Sequence, residues 1–547
     1  MDGTASHATA SQESGTNGPA RPGMRGARAV LLVSCYELGH QPFGIASAWA
    51  QLERAGFGVA AVDASIEPVE DSDLEGARLV AISVPMHTAL RLGVEIARRV
   101  RAQNPAAHVC FFGLYAALNA PFLLDAEPAP RAAATPGRGG VAGDLPAPSE
   151  ALADSVIGGE FEAALVDLAA ALEEPTIVPV PGVTTRDNLR RAAPGAPHAT
   201  AAPVLRRLSF ERPRREGLPA LERYARLLGP RAGEERVVGY LEASRGCLHR
   251  CTHCPITPVY DGRFFIVPRE IVLADAAQQV AAGARHLTFG DPDFLNGVGH
   301  SMAIARELHA AHPEVTFDVT VKVAHILEHR ARFRELGELG CIFVVSALES
   351  LSERVLIELD KGHSRADIIE ALRITADAGV ALRPSFVAFT PWTTLGDYLE
   401  LCDFILDRGL VHNVDPIQLA IRLLIPPGSA VLRGEAARPW LGALAREELT
   451  YRWTHPDPRM DRLHAEVSAA VEDAARTGEE AGTTFERIRG LAYAAAGEVA
   501  PPIRRGDGAT FVPRLTESWF CCAEPTRVQL EQVQPEQASS CCSKSAP

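Results

Sequence analysis

The chain alternates short apolar runs with helical patterns, and this alternation constrains its fold more than any other feature. In the first such stretch, from Arg28 to about Leu172, the runs are RAVLLVS, FGIASAWAQLERAGF, GVAAVDA, RLVAISV, ALRLGVEIARRVRAQ, HVCFFG and DSVIGGEFEAALVDLAAAL. Strands that alternate with helices form parallel sheets with crossover helices. The sequence therefore predicts a doubly wound α/β domain, whose ligands bind outside the carboxyl ends of its strands.

A second alternating stretch runs from Val237 to about Pro427. Its six candidate strands are VVGYLEAS, HLTFGD, VTFDVTVKV, CIFVVSAL, VALRPSFVAF and PIQLAIRL. Helical patterns lie between these strands. In one of them, HSRADIIEALRITADAG, Ser364 and Asp367 form a capping box and Gly379 ends the helix. Six units are too few for a closed eight-unit barrel but enough for an open one, so we predict a partial (β/α)6 barrel with its chemistry at the strand carboxyl ends.

The remaining segments divide the chain by composition. We predict a disordered amino-terminal segment at 1–27, a doubly wound domain at 28–175, a linker at 176–235, the barrel at 236–430, a helical region at 431–505 and a tail with two cysteine pairs at 506–547. In the helical region, WLGALAREEL and MDRLHAEVSAAVEDAAR show the clearest helical patterns.

The amino-acid composition limits the kinds of partner that we expect the protein to bind. The chain has 547 residues, 47% of them hydrophobic, and a formal net charge of -14, which is typical of a soluble protein of two or three domains. A protein that binds nucleic acid through phosphates is normally basic. Residues 186–216 hold eight arginines against three acidic residues, but with a single aromatic, Phe210, so we interpret them as a solvated connector and expect no nucleic-acid partner.

The apolar runs and the cysteines of the sequence restrict the compartment that we expect for the protein. The first 27 residues lack the apolar core of a secretory signal, and no apolar run of about 18 residues that could span a bilayer is present. The eleven cysteines are odd in number and clustered, which favours metal or redox thiols in a reducing cytoplasm. We expect a cytoplasmic protein, with Cys35, Cys110, Cys341 and Cys402 as core residues.

The stretch LEASRGCLHRCTHCPITP carries the strongest chemical signal. Cys247, Cys251 and Cys254 follow the first strand of the predicted barrel. Structural zinc needs four ligands, and the second cysteine pair of a typical zinc site is missing, although His249 and His253 could complete one. Three thiolates suit a 4Fe–4S cluster with one iron left open, which can chelate a small ligand through an amine and a carboxylate.

This loop resembles that of the radical S-adenosylmethionine (SAM) superfamily, whose partial (β/α)6 barrel agrees with the strand count. The resemblance implies that the three cysteines hold a 4Fe–4S cluster, that SAM caps the fourth iron and that a flavodoxin- or ferredoxin-type donor supplies the electron that yields a 5'-deoxyadenosyl radical. It also implies that Gly290 and Asp291, in a Gly-Asp-Pro-Asp variant of the usual motif, contact the methionine amino group. Glu349 would bind the ribose.

A doubly wound domain ahead of such a barrel resembles the cobalamin-binding class of the superfamily, over about residues 28–430. That resemblance places Ser83 and Gly113 in loops that hold the corrin tail, and VIGGEFEAALVDL matches the usual end of the domain. The usual D-x-H-x-x-G motif is replaced by SCYELGHQPFG, which leaves His40 either as a cobalt ligand or as a hydrogen-bonding loop residue. Cobalamin is therefore a cofactor that the resemblance allows without requiring it.

The tail contains WFCCAEP, which resembles the tail of the CUAEP/CCAEP radical SAM (seleno)proteins, where some members carry selenocysteine at the position of Cys522. A selenol and a thiol both act as soft anionic nucleophiles. We therefore predict Cys521 and Cys522 as catalytic residues, acting as a redox relay, as a soft metal or metalloid binder, or at an auxiliary cluster. Adjacent cysteines close only a strained ring, so pairing with Cys541 and Cys542 or with a partner is the more plausible disulfide.

Two functions follow from these features. The first is a radical SAM enzyme, with or without cobalamin-dependent methyl transfer, acting on a substrate that the sequence does not identify. The second is a metalloid or cofactor carrier in which the tail thiols act and the barrel is a scaffold.

Overall fold

The structure is a computed structural model that describes residues 23–125, 151–174, 179–192, 201–206, 208–231, 233–433, 438–503, 511–517, 524–525 and 527–533. The first six strands are β1 (Val30–Ser34), β2 (Val59–Asp63), β3 (Leu79–Ser83), β4 (His108–Phe112), β5 (Ser155–Ile157) and β6 (Thr184–Thr185). They form one sheet in the order β2-β1-β3-β4-β5-β6, in which β1 to β5 are parallel and β6 is antiparallel.

Helices cover both faces of this sheet. They are α1 (Phe43–Arg54), α2 (Asp71–Glu75), α3 (His87–Gln103), α4 (Leu114–Leu118), α5 (Ala120–Leu124), α6 (Glu162–Ala171) and α7 (Arg186–Ala192). Val30 and Leu32 point into the core beneath α1 and α6, whereas Leu31 and Val33 point into the core beneath α3, because successive strand residues face opposite sides. The predicted doubly wound domain is confirmed, and its strand order reverses between β1 and β3.

The second sheet is a curled, mainly parallel half-barrel. The strands of this region are β7 (Arg226–Leu228), β8 (Glu235–Leu241), β9 (Ser244–Gly246), β10 (Phe264–Ile266), β11 (His286–Phe289), β12 (Thr316–Thr320), β13 (Cys341–Glu349) and β14 (Ala381–Phe386). Strands β8, β11, β12, β13 and β14 are parallel in that order, and β7 pairs antiparallel with β8 at the edge. The predicted α/β half-barrel is confirmed.

Helices connect these strands on the outer face. They are α8 (Thr257–Tyr260), α9 (Arg269–Ala281), α10 (Val298–Ala311), α11 (Val323–Glu328), α12 (Arg330–Glu338), α13 (Glu353–Glu358), α14 (Arg365–Asp377) and α15 (Leu395–Asp407). The capping box predicted for α14 is present, with the side chains of Ser364 and Asp367 each accepting a backbone N–H of the other residue.

The sixth candidate strand is shorter than its pattern predicts. Residues Pro416–Leu419 form a 3-10 turn, and a single parallel bridge then joins Phe389 to Arg422. Phe389 donates its N–H to Ile421 O at 3.0 Å and accepts one from Leu423 at 2.8 Å. The segment therefore occupies the position of a sixth strand, after β14, with only one residue in ladder pairing.

The region after the barrel corrects one prediction. WLGALAREEL is not a helix: β15 (Leu441–Ala445) and β16 (Thr450–Trp453) form a hairpin. Trp440 packs edge-on against Trp453 at 6.5 Å and against Trp392 at 5.6 Å, and this aromatic packing outweighs local helix propensity. The next two helices, α16 (Pro458–Thr477) and α17 (Ala481–Ala495), agree with the predicted helical region.

Segments predicted as linker and tail contribute to both domains. β6 extends the first sheet, β17 (Arg514–Leu515) pairs with β7 at the edge of the second, and α18 (Arg527–Val533) packs on α3. Several linker arginines form ion pairs with carboxylates: Arg186 and Arg190 with Asp125, Arg206 with Asp167, Arg214 with Glu53 and Arg215 with Asp275. Within the described ranges, every helix is too short or too polar to cross a bilayer.

Candidate active site

The cysteine loop leaves the carboxyl end of β8 through a turn that only glycine can make. Gly246 has a φ of 76°, and a Cβ there would lie 2.5 Å from the carbonyl oxygen of Arg263. The next residue, Cys247, donates its N–H to that same carbonyl at 3.1 Å. Pairing of β9 with β10 and this bond together fix where the first cysteine of the loop lies.

The three loop thiols lie within electrostatic reach of one another. Cys247 and Cys251 are buried, Cys254 is half-buried, and the Cys254 N–H donates to Cys251 O at 3.2 Å. Burial, followed by the charge of Cys251, raises the pKa of the Cys254 thiol to about 12. Burial likewise raises the pKa of Cys247. Thiolates crowded in this way require a bound cation, so the donor set fits a 4Fe–4S cluster held by three cysteines.

The two histidines inside the loop face carboxylates. His253 Nε2 lies 3.1 Å from Glu349 Oε1, and His249 Nε2 lies 3.5 Å from Asp293 Oδ2. Each imidazole therefore has an anionic neighbour at a different strand end. This arrangement disfavours the alternative in which both histidines complete a zinc site with the cysteines.

Glu349 is the last residue of β13. Its backbone is strained, and one of its carboxylate oxygens has no hydrogen-bond partner among the described residues. Its φ of 64° lies in the left-handed region, and its Oε1 lies 3.2 Å from Lys361 Nζ. Burial raises its pKa, but Lys361 and His253 outweigh burial and lower the pKa of Glu349 to about 2. Oε2 is buried and has no hydrogen-bond partner among the described residues. The side chain is thus an ionised acceptor with a vacant lone pair, as predicted for a ribose contact.

Gly290 and Asp291 follow β11 directly and support the loop. Asp291 Oδ1 accepts a hydrogen bond from Ser244 Oγ at 2.6 Å, and its Oδ2 accepts one from the Ala243 N–H at 2.9 Å. Burial raises the pKa of Asp291 to about 6. A Cβ at Gly290 would lie 1.7 Å from the hydroxyl oxygen of Tyr240, so no larger residue fits. The contact to a methionine amino group remains a prediction, because the carboxylate already has these protein donors.

A cavity of about 380 Å³ lies between the carboxyl ends of the two sheets. The strand-end residues that line it are Ser83, Gly113 and Gly159 from the first domain and Glu242, Arg245, Cys254, Gly290 and Asp291 from the second. The structure therefore brings four of the predicted binding positions together with one loop cysteine. Glu349, Cys247 and Cys251 do not line this cavity.

The first-domain wall of the cavity combines small residues with large ones such as Phe43, Met86 and Tyr115. Gly113 has a φ of 106°, and a Cβ there would lie 3.2 Å from the carbonyl oxygen of Val84. A Cβ at Gly44 would lie 2.9 Å from Ser83 Oγ. His40 faces elsewhere: its ring lies 4.9 Å from that of Tyr240, and burial lowers its pKa to about 4. His40 is thus a neutral, packed imidazole outside the cavity lining.

A buried arginine joins the two domains at the cavity. Arg245 lies 2.7 Å from Glu162, 3.2 Å from Glu160 and 2.8 Å from Glu242, measured between nitrogen and carboxylate oxygen. Its guanidinium also lies over the rings of Phe43 and Phe161. The sequence analysis did not single out this residue, because its partners come from segments far apart in the chain.

Cys521, Cys522, Cys541 and Cys542 lie outside the described residues. The segments that flank the first pair are described, however. Thr516 Oγ1 accepts the Arg226 N–H at 2.9 Å, and Glu524 Oε1 lies 2.8 Å from His87 Nε2 at the start of α3. Both flanking segments are thereby attached to the protein.

Known proteins resemble this chain in the half-barrel domain. Residues 241–405 match the Radical SAM superfamily. Ribosomal protein uS12 methylthiotransferase RimO from Solibacter usitatus is 28% identical over 182 residues, which cover 31% of this chain and 39% of that protein. The protein of the same name from Alkalilimnicola ehrlichii is 26% identical over 307 residues, covering 52% and 64%. The chain thus spans less than two thirds of the length of these relatives.

Two solved structures share the two-domain fold. The radical SAM methyltransferase TsrM from Kitasatospora setae, with cobalamin and a [4Fe-4S] cluster bound, aligns with a TM-score of 0.58 and 15% identity over 86% of this chain and 99% of that chain. The cobalamin-dependent radical enzyme OxsB, with aqua-cobalamin and SAM bound, aligns with a TM-score of 0.59 and 15% identity over 82% and 66%.

The matched domain, the half-barrel and the three-cysteine loop agree with one another. A radical SAM domain implies a 4Fe–4S cluster and SAM as cofactors. Residues 241–405 of this chain therefore form a radical SAM domain.

Proposed function

We propose that this protein is a cobalamin-dependent radical SAM enzyme that cleaves SAM reductively and transfers a methyl group to an unidentified substrate. The observation that carries the proposal is the cavity between the two sheets, which joins Ser83 and Gly113 of a doubly wound domain to Cys254 of the cysteine loop. When bound, the reduced cluster supplies the electron that cleaves SAM, and cobalamin supplies methyl-transfer chemistry.

The residues of the barrel supply the binding site for SAM in this proposal. Glu349 accepts a ribose hydroxyl at its unpaired Oε2, while Lys361 and His253 keep the carboxylate ionised and in place. Gly290, which lines the cavity and packs against the Tyr240 ring, would contact the methionine end, and Asp291 holds the segment before the cysteine loop through Ser244.

The first domain supplies the binding site for cobalamin. Ser83 and Gly113 lie at the carboxyl ends of β3 and β4, beside the point where the strand order reverses, which is where doubly wound sheets bind ligands. Gly113 packs closely against the backbone of Val84, and its φ of 106° would strain any side chain. Since His40 packs against Tyr240, the described lining offers no imidazole, and cobalt binding there does not depend on a histidine.

The proposal gives the tail thiols a role next to the cavity. Glu524, two residues after Cys522 in the sequence, lies 2.8 Å from His87 at the start of α3, and the residues before that helix, Pro85 and Met86, line the cavity. We propose Cys521 and Cys522 as a reducible or soft-metal-binding dithiol for the reaction. A flavodoxin- or ferredoxin-type protein would reduce the cluster.

SAM cleavage tests the enzymatic half of the proposal. Anaerobically reconstituted protein with a strong reductant is expected to form 5'-deoxyadenosine, and Cys251→Ala is expected to abolish it. The double variant Cys521→Ser/Cys522→Ser is the matched control, because it removes two thiols and leaves the three loop cysteines unchanged. It should still complete a single turnover of SAM cleavage. Absence of 5'-deoxyadenosine from the wild type under strong reduction would favour the carrier function of the tail instead.

Retention of the corrin tests the cobalamin half separately. Wild type incubated with hydroxocobalamin and desalted should keep corrin absorption bands, whereas Gly113→Ala should lose them while keeping a native circular dichroism spectrum. Gly299→Ala, which adds a methyl group into open space, should bind like the wild type. A wild type without corrin bands would contradict this half and leave SAM cleavage as the activity.

A further inference from the structure

Three side chains outside the cysteine set converge beside the loop. His249 lies within the loop, Asp293 follows β11, and His325 lies on α11 after β12. Asp293 Oδ2 is 2.9 Å from His325 Nδ1 and 3.5 Å from His249 Nε2, and the three candidate ligand atoms all lie within 4.8 Å of one another. Three separate connections of the barrel thus meet at one point.

The two imidazole nitrogens lack ordinary hydrogen bonds. His249 Nε2 and His325 Nδ1 are both buried, and neither makes a hydrogen bond of normal geometry with any described residue. Both nitrogens thus face the carboxylate of Asp293 without a well-directed hydrogen bond, an arrangement that a shared ion would satisfy.

The spacing of the donors matches a coordination polyhedron. With bonds of about 2.0–2.1 Å, two ligand atoms of one transition-metal ion are separated by about 3.0 Å in octahedral and about 3.4 Å in tetrahedral geometry. The separations of 2.9 Å from Asp293 to His325 and 3.5 Å from Asp293 to His249 are close to these values, so the three donors lie near enough together to share one ion. Asp293 is also held in place, because its Oδ1 accepts the Leu295 N–H at 3.0 Å and its Oδ2 accepts the Lys322 N–H at 3.2 Å.

We propose that His249, Asp293 and His325 form a mononuclear site for a divalent transition-metal ion such as Zn²⁺ or Fe²⁺, separate from the cluster on the three cysteines. Two imidazoles and one carboxylate suit such ions and disfavour Mg²⁺ and Ca²⁺, which take oxygen ligands. Three protein ligands leave at least one position for water. The ion ties the cysteine loop to α11 and does not depend on the proposed methyl transfer.

A neighbouring trio offers an alternative position for an ion. His325, Glu328 and His329 also lie close together, but the Glu328 side chain is 67% exposed and its Oε1 is 3.9 Å from His329 Nε2. Water satisfies an exposed carboxylate, so this trio lacks the buried, unpaired donors of the first. The two positions share His325 and differ in every other ligand, which makes them separable by mutation.

Cobalt binding tests the site without the cluster. Untagged, full-length protein carrying Cys247→Ala, Cys251→Ala and Cys254→Ala, with Cys521, Cys522, Cys541 and Cys542 also replaced by serine, should retain about one Co²⁺ per chain, displaceable by Zn²⁺, with visible bands of nitrogen and oxygen ligation and no thiolate charge-transfer band. Adding His249→Gln, Asp293→Asn or His325→Ala should weaken binding by about tenfold or more, whereas His312→Gln and His329→Gln should leave it unchanged. No retained cobalt in the folded protein, or loss on His329→Gln but not on His249→Gln, would overturn the proposal.

Zinc X-ray absorption on protein that keeps its loop cysteines provides a second measurement if that variant does not fold. Protein with a reconstituted cluster and added Zn²⁺ should show a zinc shell of nitrogen and oxygen only, at about 2.0–2.1 Å. In protein whose tail cysteines Cys521, Cys522, Cys541 and Cys542 are replaced by serine, a zinc shell at about 2.3 Å would place zinc on the loop thiolates and overturn the proposal.

Discussion

Arg245 Nη2 lies 2.7 Å from Glu162 Oε1, and this buried ion pair joins the cysteine loop to the first domain. Arg245 precedes Cys247 by two residues, while Glu162 begins α6. Both side chains are almost fully buried, and Glu160 and Glu242 share the same guanidinium. The pair therefore sets the carboxyl ends of the two sheets against each other, which is what creates the cavity.

Removing this cation should destabilise the protein strongly. In Arg245→Met, three buried carboxylates lose their shared partner, and breaking a buried ion pair in this way costs about 3–5 kcal/mol. Urea denaturation followed by circular dichroism measures the loss. Arg373→Ala is the control, since Arg373 pairs with Glu370 and Asp377 on an exposed helix face and its loss should change stability little. Equal effects of the two substitutions would contradict the role assigned to Arg245.

Glu242 should make stability fall as pH rises. Burial is the main cause that raises its pKa to about 7, although Arg245 opposes the shift. An unfolded glutamate releases its proton near pH 4.3, so between about pH 4 and 7 the folded state binds more protons than the unfolded state, and stability declines across that window. Glu242→Gln should flatten this part of the stability curve. The exposed Glu370→Gln should instead follow the wild type, and parallel curves for all three proteins would refute the assignment.

Gly290 should tolerate no side chain. A methyl group there would overlap the Tyr240 ring, which must shift within the cavity that both residues line, and such forced repacking costs about 1–3 kcal/mol. Gly290→Ala should lower the thermal midpoint and the yield of reconstituted cluster together. Gly299→Ala places its methyl group in open space on α10 and should be neutral or slightly stabilising. An unchanged midpoint for Gly290→Ala would show that the strand end relaxes easily.

Glu349 should contribute to SAM affinity. Replacing the ionised acceptor by an amide in Glu349→Gln weakens a charged hydrogen bond worth about 1.5–3 kcal/mol, which corresponds to roughly a tenfold or greater rise in Kd. Equilibrium dialysis with SAM on the reconstituted enzyme measures it. Glu338→Gln, an exposed change on α12, serves as the control. If both variants bind SAM like the wild type, Glu349 does not contact the nucleoside.

We expect Glu524 to attach the start of α18 to α3. Its carboxylate lies 2.8 Å from buried His87 and 3.4 Å from Arg91. Glu524→Ala should speed hydrogen exchange in a peptide covering residues 524–533, because the attachment at one end is lost. Glu498→Ala, on an exposed turn, should leave that peptide unchanged. The same exchange rate in both variants would mean that α18 is held by its apolar contacts alone.

Much of this architecture was predictable from local patterns. Alternating strands and helices indicated both domains, the Ser364 capping box indicated one helix start, and the spacing of the three cysteines indicated the cluster loop. Each strand, helix start and cysteine spacing among these signals is a local pattern in the sequence. WLGALAREEL was predicted wrongly because the packing of Trp440 on Trp392 and Trp453 is not visible in its own sequence. The partners of Arg245 and the meeting of His249 with Asp293 and His325 likewise depend on tertiary contacts between distant segments.

The most direct test of the account is Mössbauer spectroscopy of protein reconstituted with ⁵⁷Fe without air, with and without SAM. The account predicts about four iron and four sulfide ions per chain, with SAM changing the signal of one iron in four, because Cys247, Cys251 and Cys254 leave that iron open. A protein that holds zinc on these cysteines and contains no inorganic sulfide would contradict the central claim.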